Sequence, residues 1–308
     1  MKNKNNSVEK LSVIIPFLNE EENLGKLYEE LLANLEKLNL EYEIIFVNDG
    51  STDNGSDIVK KFVKTNPSVF LIEHKVKKGK GDALATGLKK ASGSLILFMD
   101  ADLQDDPADI KKFYEKIQSG YDFVNGIRSK REDNLVIKLY SKTFNWFLKK
   151  FLRSPFTDIN CGFKMFRKEI ADSMSFYANN FRFLPLYAYY QGYKTTEVEV
   201  SNRPRIYGKS KFGIKKIFIG IIDTLTTYFL YRFSQRPLHF FGVIGGSIFS
   251  LGLIILSYLS FERIFLNHLL YRRPLLQFGV LLIVVGVQII MTGFLGELIV
   301  FFNKQKNK

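Results

Sequence analysis

The sequence predicts an α/β domain on a mainly parallel sheet, followed by an amphipathic segment at a membrane surface and two membrane-spanning helices. Three observations carry this expectation. Residues 11–127 alternate short apolar runs with segments of helical periodicity, the pattern of strands covered on both faces by crossover helices. Phe240–Leu259 contains no Asp, Glu, Lys or Arg, and Leu275–Phe302 is interrupted only by Glu297; either is long enough to cross a hydrocarbon layer of about 30 Å as a helix. Between these regions, residues 212–236 mix apolar side chains with Lys215, Lys216, Asp223 and Arg232, as helices lying in a membrane interface do.

The elements follow in order. LSVIIPF (11–17), YEIIFV (42–47), VFLIE (69–73), SLILFM (94–99) and YDFVNGI (121–127) read as strands. Leu24, Leu27, Leu31, Leu32, Leu35 and Leu38 recur at helical spacing after the first, and Ile58, Val59, Phe62 and Val63 after the second, which turns at Thr52-Asp53. A glycine-rich turn, Lys78, Gly79 and Gly81, leads into a third helix. Asp106-Pro107 opens a fourth, with Asp as N-cap and Pro in the first turn; Ile110, Phe113, Tyr114 and Ile117 carry its apolar face and Gly120 follows its end. The expected division is a catalytic domain over 1–211, a juxtamembrane helix over 212–236, and spans near 238–260 and 275–302. In open parallel sheets, ligands bind beyond the carboxyl ends of the strands, here Pro16–Glu21, Asn48–Asp53, Lys75–Asp82 and Asp100–Asp106.

Several functions are disfavoured. PFLNEEENLG after the first strand carries no GxGxxG, and no GxxxxGK[ST] occurs, so neither a Rossmann dinucleotide site nor a P-loop is expected. The single cysteine, Cys161, forms no internal disulfide and reads as a packing residue, and three histidines make a histidine metal cluster unexpected. MKNKNNSVEK has no apolar core and is not a signal peptide. The net charge of +13, from 44 Lys+Arg against 31 Asp+Glu, asks for an anionic partner: nucleic acid, a phosphorylated substrate or a membrane surface. Much of that charge borders the spans: Lys209, Lys211, Lys215, Lys216, Arg232 and Arg236 before the first, Lys304, Lys306 and Lys308 after the second. Nucleic acid is therefore not the expected partner, and the positive-inside rule places both termini in the cytosol despite Arg263, Arg272 and Arg273 in the connecting loop. Tyr228, Tyr231, Tyr258 and Tyr271 fall at interface depths, and Glu297 needs a partner near the cytosolic end or at a subunit contact.

The stretch LFMDADLQDDP (97–107) ends a strand in four acids. Asp105, Asp106 and Pro107 fit a helix start. Asp100 and Asp102 precede the cap, and two carboxylates at i and i+2 on a turn suit a hard cation such as Mg²⁺ or Mn²⁺, with Gln104 adding a carbonyl oxygen.

Taken together, IIPFLNEEENL, EIIFVNDGSTD, KKGKGDALATGLKKASG and MDADLQDDP resemble the inverting family 2 glycosyltransferases of GT-A (Rossmann-like) fold. TDINCGFKMFRKE, RIYGKSKFG and the two-span tail are similar to the polyprenyl-phosphate glycosyltransferases, such as dolichol-phosphate mannose synthase and the bacterial undecaprenyl-phosphate glucosyltransferases. The resemblance implies a nucleotide-sugar pocket at Pro16, Asn19, Glu21, Asp49, Lys78, Gly79, Gly81 and Asp100, with Asp49 on the nucleobase. It implies a metal, Mg²⁺ or Mn²⁺, at Asp100, Asp102 and Gln104. Asp158 would lie beside the reaction centre, as base or orienting group. Arg128, Arg131, Arg205 and Lys211 are candidates for holding the lipid phosphate, since guanidinium forks match phosphate oxygens, and Lys164 stands where relatives often carry Arg. Asp102, Asp158 and Arg128 are the expected catalytic residues. The implied reaction moves a sugar, most simply from UDP-glucose, to undecaprenyl phosphate on the cytosolic face of the bacterial inner membrane. UDP-GlcNAc, UDP-GalNAc and GDP-mannose are the other donors, and a homo-oligomer, a tetramer in relatives, is the expected assembly. Two other readings are weaker. A processive polysaccharide synthase needs QxxRW, whereas the only Trp, Trp146, follows Asn145. A membrane-anchored binding protein without catalysis has no use for Asp100, Asp102, Gln104 and Asp158 together.

Overall fold

The computed structural model describes residues 9–128, 154–173, 180–203, 233, 236–266 and 274–306. Arg131, Arg205, Lys211, the juxtamembrane segment over 212–232 and Tyr228, Tyr231 and Tyr271 lie outside these residues. The chain divides into two compact units, Met1–Asp223 and Thr224–Lys308.

The first unit is a seven-stranded sheet with β1 (Lys10–Phe17), β2 (Glu41–Asn48), β3 (Val69–Glu73), β4 (Leu95–Phe98), β5 (Phe123–Arg128), β6 (Lys164–Arg167) and β7 (Thr195–Val200) in the order β3-β2-β1-β4-β6-β5-β7. Neighbours β3-β2-β1-β4 are parallel, as are β5 and β7; β6 runs antiparallel to both β4 and β5. The mainly parallel sheet is thus confirmed, but the fifth expected strand does not pair with the fourth. β6 wedges between them, and its four residues, three of them buried, are too short for a periodic signal.

The alternation of β1 divides the core. Leu11, Val13, Ile15 and Phe17 face α1 (Glu21–Leu35), α2 (Gly55–Thr65) and α4 (Ile110–Gln118), joining Leu24, Leu27, Leu31, Val59, Ile110, Phe113 and Ile117 in one buried cluster. On the other face Ile14 meets α3 (Lys80–Lys90). There Gly87 lets the helix approach, since a Cβ would stand 2.4 Å from Ile14 Cγ2. Asp106 caps the turn before α4 by accepting the Ala108 N–H at 3.0 Å, with Pro107 in the first turn. Two short helices, α5 (Lys168–Asp172) and α6 (Leu184–Tyr190), complete the described part of this unit.

At the amino ends of the strands, Glu43 is only 3% exposed. Its carboxylate accepts from Ser12 Oγ at 2.6 Å and Ser92 N at 2.6 Å, and pairs with Lys10 at 2.9 Å. Burial works against its charge, but the bonds from Ser12, Ser92 and Lys10 prevail and hold the group at about 2 rather than 4.5. A folded-state value below the unfolded one gives stability that is complete above pH 4.5 and lost as pH falls toward 2. Glu43→Gln should therefore lower the detergent-solution melting temperature at pH 7 and flatten its decline between pH 4.5 and 2.

The second unit is a pair of long helices, α7 (Pro237–Phe265) and α8 (Pro274–Lys306), covering the two expected spans. Both are long and apolar enough to cross a membrane. Only 11% of the most apolar window of α7 and 17% of that of α8 is buried within the chain, which sets them apart from core helices. They meet along glycines: a Cβ on Gly245 would lie 2.7 Å from the Gly286 carbonyl oxygen, and one on Gly252 would lie 2.8 Å from that of Gly279. Small residues at such a contact let backbones approach where lipid provides no hydrophobic drive. Glu297 finds its partner within the chain, accepting the Leu238 N–H at 3.3 Å in the first turn of α7. There an acid satisfies an otherwise unpaired donor and opposes the positive end of the helix dipole.

Candidate active site

The loops after β1, β2, β3 and β4 converge on a cleft of about 270 Å³ lined by Pro16, Phe17, Leu18, Glu20, Asp49, Lys77, Gly79, Lys80, Asp100, Ala101 and Asp102. It lies beyond the carboxyl ends of the strands. The loop after β1 and the loop after β2 are tied reciprocally. Asn19 Oδ1 accepts the Thr52 N–H at 2.8 Å and Glu21 Oε2 accepts the Asn54 N–H at 2.9 Å, while Ser51 Oγ and Asp53 Oδ2 accept the N–H groups of Asn19 and Glu21. Asn19 takes a left-handed φ of 56° to do so. These bonds correct the sequence reading: Asn19 and Glu21 join two loops, and neither lines the cleft; Glu20 does.

Asp49, 4% exposed, organises the next loop. Its Oδ1 accepts the Lys78 N–H and its Oδ2 the Gly79 N–H, each at 2.8 Å, and His74 Nδ1 stands 3.0 Å from Oδ1. His74 Nε2 continues to Thr86 Oγ1 at 3.0 Å. The expected nucleobase acid is thus also the anchor of the basic turn. Of that turn Gly79 lines the cleft and Gly81 is buried in α3; the lysines at the cleft wall are Lys77 and Lys80, not Lys78.

After β4 the chain turns through Leu103, which has a left-handed φ of 59° and no exposed surface. A bulky residue in that conformation is strained and is held by its surroundings. Burying Leu103 separates the four acids into two groups. Asp106 caps the next helix. Asp105 is drawn inward to 5% exposure and bridges Asn202, which corrects its assignment to the helix start. Burial, then the charges of Asp100 and Asp102, push the Asp105 carboxyl up to about 7. Burial also disfavours the charge of Asp100, but Lys80 outweighs it, helped by Arg128 and Lys164, and keeps that carboxyl below the usual range. Lys80 Nζ is bonded directly to Asp100 Oδ1. The Gln104 N–H donates to Asp102 Oδ1 at 3.3 Å, and the Gln104 carbonyl accepts from Arg203 N at 2.9 Å; its backbone orients Asp102. Gly162 backs Asp100, since a Cβ there would stand 2.8 Å from Oδ2.

A divalent cation fits this arrangement. Asp100 and Asp102 offer oxygen donors at the cleft, and their charges add to the burial that raises the Asp105 carboxyl behind them. Among the described residues no group of three or more His, Cys, Asp or Glu is placed to hold a metal ion, so a cation here would rest on Asp100 and Asp102 alone among these side chains. Such an open site leaves coordination positions for phosphate and water, as magnesium sites commonly do.

Arg128, whose charge acts on Asp100, ends β5 and forms a bidentate pair with Asp158, Nε to Oδ2 at 2.8 Å and Nη2 to Oδ1 at 3.0 Å. The Asp158 loop is fixed from beneath: Glu197 of β7 accepts the Thr157 N–H, and Asn125 donates to the Asp158 carbonyl at 2.9 Å. Burial opposes the Arg128 charge and Asp158 more than restores it, so its pKa rises. Lys164 corrects the sequence reading. It is 1% exposed, and its ammonium is bonded to Asn125 Oδ1, the Ile159 carbonyl and the Cys161 carbonyl. Burial brings it down to about 8. It braces the loop from inside and does not reach a lipid phosphate. Burial also pushes the Cys161 thiol up to about 12, leaving it a packing residue.

The strands and loops that build this cleft belong to a glycosyltransferase: residues 12–174 match the model of glycosyl transferase family 2, and the chain belongs to that family. Among its relatives, the dodecaprenyl-phosphate galacturonate synthase of Rhizobium johnstonii is 33% identical over 94% of this chain and 87% of its own length. The undecaprenyl-phosphate 4-deoxy-4-formamido-L-arabinose transferase of Photorhabdus laumondii is 31% identical over 95% of this chain and 89% of its own. Among solved structures, the glucosyl-3-phosphoglycerate synthase of Mycobacterium tuberculosis in complex with UDP shares the fold with a TM-score of 0.55 at 18% identity, over 72% of this chain and 80% of that one. Mannosyl-3-phosphoglycerate synthase from Rubrobacter xylanophilus does so with 0.56 at 17%, over 71% and 73%.

Proposed function

We propose that this glycosyltransferase moves a sugar from a UDP-sugar to a polyprenyl phosphate at the cytosolic face of a bacterial inner membrane, with inversion at the sugar carbon. The observation that carries the reading is Asp100 and Asp102 lining one cleft, with Arg128, held by Asp158, close enough for its charge to act on Asp100. Both relatives named above act on polyprenyl phosphates, and the second unit supplies two helices that fit a bilayer.

In this reading Pro16, Asp49, Gly79 and Lys80 hold the nucleotide, and Asp100 and Asp102 hold Mg²⁺ or Mn²⁺. When bound, the cation neutralises charge on the departing diphosphate. The acceptor phosphate is already ionised at about −1.5 to −2 at neutral pH, so the attacking oxygen needs no base. Asp158 is correspondingly engaged with Arg128 through both carboxylate oxygens and acts as an orienting group. It holds the planar fork of Arg128, which has further N–H donors for a phosphate oxygen. Holding two anions in line for displacement is where the protein contributes most. Arg131, Arg205 and Lys211 belong to the same acceptor proposal. So do cytosolic termini, argued from flanking charge, and assembly as a homo-oligomer.

UDP-glucose is the donor implied by the family resemblance, whereas the two named relatives carry galacturonate and a formamido-arabinose. The sugar is therefore the variable of the test. Purified protein is incubated with undecaprenyl phosphate and radiolabelled UDP-glucose, UDP-galacturonate, UDP-GlcNAc, UDP-GalNAc or GDP-mannose, with Mg²⁺, Mn²⁺ or chelator. One UDP-sugar should carry label into the organic phase, and chelator should abolish it. Label that stays aqueous with every donor contradicts the reading.

A further inference from the structure

Lys80 is placed with more care than a surface lysine requires. Asp49 fixes the turn before it by accepting the Lys78 and Gly79 N–H groups, and Gly79, at φ 107°, lets the chain turn directly into α3. The Lys80 ammonium then lies on Asp100 Oδ1 and 5.5 Å from the centroid of the Phe181 ring. Phe181 is itself only 6% exposed. Gly162 closes the far side of the Asp100 carboxylate. Yet the Lys80 side chain is 35% exposed and forms part of the cleft wall. It is thus cradled by an anion and an aromatic face while remaining open to an incoming ligand.

The oxygen it holds is one that a divalent cation at Asp100 would need. An ammonium and a doubly charged cation a few Å apart repel strongly in a partly desolvated cleft. A nucleoside diphosphate removes the conflict, because its phosphates offer the ammonium another anionic partner within reach of a flexible four-carbon stem.

We propose that Lys80 is a tethered counter-ion: it occupies Asp100 while the cleft is empty and transfers to the diphosphate when nucleotide enters, so that cation and nucleotide bind as a pair. The proposal rests on the nucleotide-sugar reading of the cleft. Its consequence is thermodynamic coupling, in which UDP raises the affinity for cation and cation raises the affinity for UDP by the same factor. Part of that coupling comes from direct contact between UDP and metal; Lys80 adds the rest by weakening cation binding in the absence of nucleotide.

The test is a Mn²⁺ titration of the full-length protein in detergent, reading free Mn²⁺ by electron paramagnetic resonance, with and without UDP. In Lys80→Met, Mn²⁺ alone should bind roughly tenfold tighter, the size expected for removing one partly exposed ion pair and its aromatic contact. The enhancement by UDP should shrink by a similar factor. Lys80→Arg, which keeps the charge, should stay near wild type. Lys80→Gln repeats the measurement with a polar side chain, and melting curves establish that each variant is folded. A Lys80→Met or Lys80→Gln protein that binds Mn²⁺ alone no tighter than wild type, with UDP enhancement unchanged, overturns the counter-ion role and leaves the cleft assignment standing. Wild-type protein that binds Mn²⁺ neither alone nor with UDP overturns the cleft assignment itself, and the counter-ion role with it.

Discussion

Asp102→Ala should lower sugar transfer on the order of 10³-fold, the effect of losing several kcal/mol of charge stabilisation when each ~1.4 kcal/mol is a factor of ten. The expectation follows from position. Asp102 borders the cleft at 9% exposure, and its Oδ1 is oriented by the Gln104 N–H. Its backbone precedes the strained Leu103 turn, which the fully buried Leu103 side chain anchors and to which the Asp102 carboxylate adds the long 3.3 Å bond from Gln104. The variant should therefore melt within a few degrees of wild type. Its activity should not recover at high Mn²⁺, because only one of the two cleft carboxylates, Asp100, then remains for the cation. Initial rates against Mn²⁺ concentration, alongside circular dichroism melts, check both halves; a folded variant with full activity removes the metal role from Asp102.

The second large effect is expected at Arg128. Arg128→Met removes a guanidinium whose partner, Asp158, is 7% exposed. Breaking a buried bidentate ion pair from one side costs about 3–5 kcal/mol of stability. It should also reduce kcat/KM for polyprenyl phosphate by about a hundredfold or more, as loss of a charge-assisted phosphate contact does. The double variant Arg128→Met/Asp158→Asn separates the two roles. It should recover much of the stability, because the buried carboxylate is removed together with its guanidinium partner, and none of the activity. Measuring both quantities in wild type, Arg128→Met, Asp158→Asn and the double variant closes a double-mutant cycle. Recovery of activity in the double variant would mean that Arg128 serves only to neutralise Asp158.

The strongly periodic parts of the fold are legible in the sequence. The first four strands have continuous apolar runs, and α1 and α4 have apolar faces at helical spacing with an identifiable start. The two long C-terminal helices follow from composition alone. β6 is not legible, because KMFR is four residues long and hides a lysine in the core: nothing local announces that the Lys164 ammonium will be hydrogen-bonded by three oxygens from Asn125, Ile159 and Cys161. β7, TTEVEV, does carry an alternating signal with β-branched residues, which a search for a further strand would have found.

The candidate site is legible at the level of motifs and less so at the level of atoms. DADLQ marks the acidic loop, but Asp105 and Asp106 are chemically identical in the sequence. Only the left-handed turn at Leu103 sends one inward and the other to a helix cap. Lys80 is one of four lysines between positions 75 and 80. What distinguishes it is the placement of Asp100 and Phe181, respectively 20 and 101 residues further along the chain. Asn19 and Glu21 carry the right chemistry for a nucleotide pocket, yet their side chains are spent on loop-to-loop bonds. Long-range partners decide each of these cases, and periodicity and spacing do not encode them.

In the proposed reaction a sugar leaves its nucleotide without phosphate and forms its new bond to a lipid phosphate. Mass spectrometry of the lipid product tests this most directly. Undecaprenyl phosphate incubated with protein, Mn²⁺ and the active UDP-sugar should gain the mass of one sugar residue and keep a single phosphorus, with UDP released in equal amount. A lipid that instead carries a second phosphorus, with UMP released, would show transfer of a sugar phosphate and contradict the account.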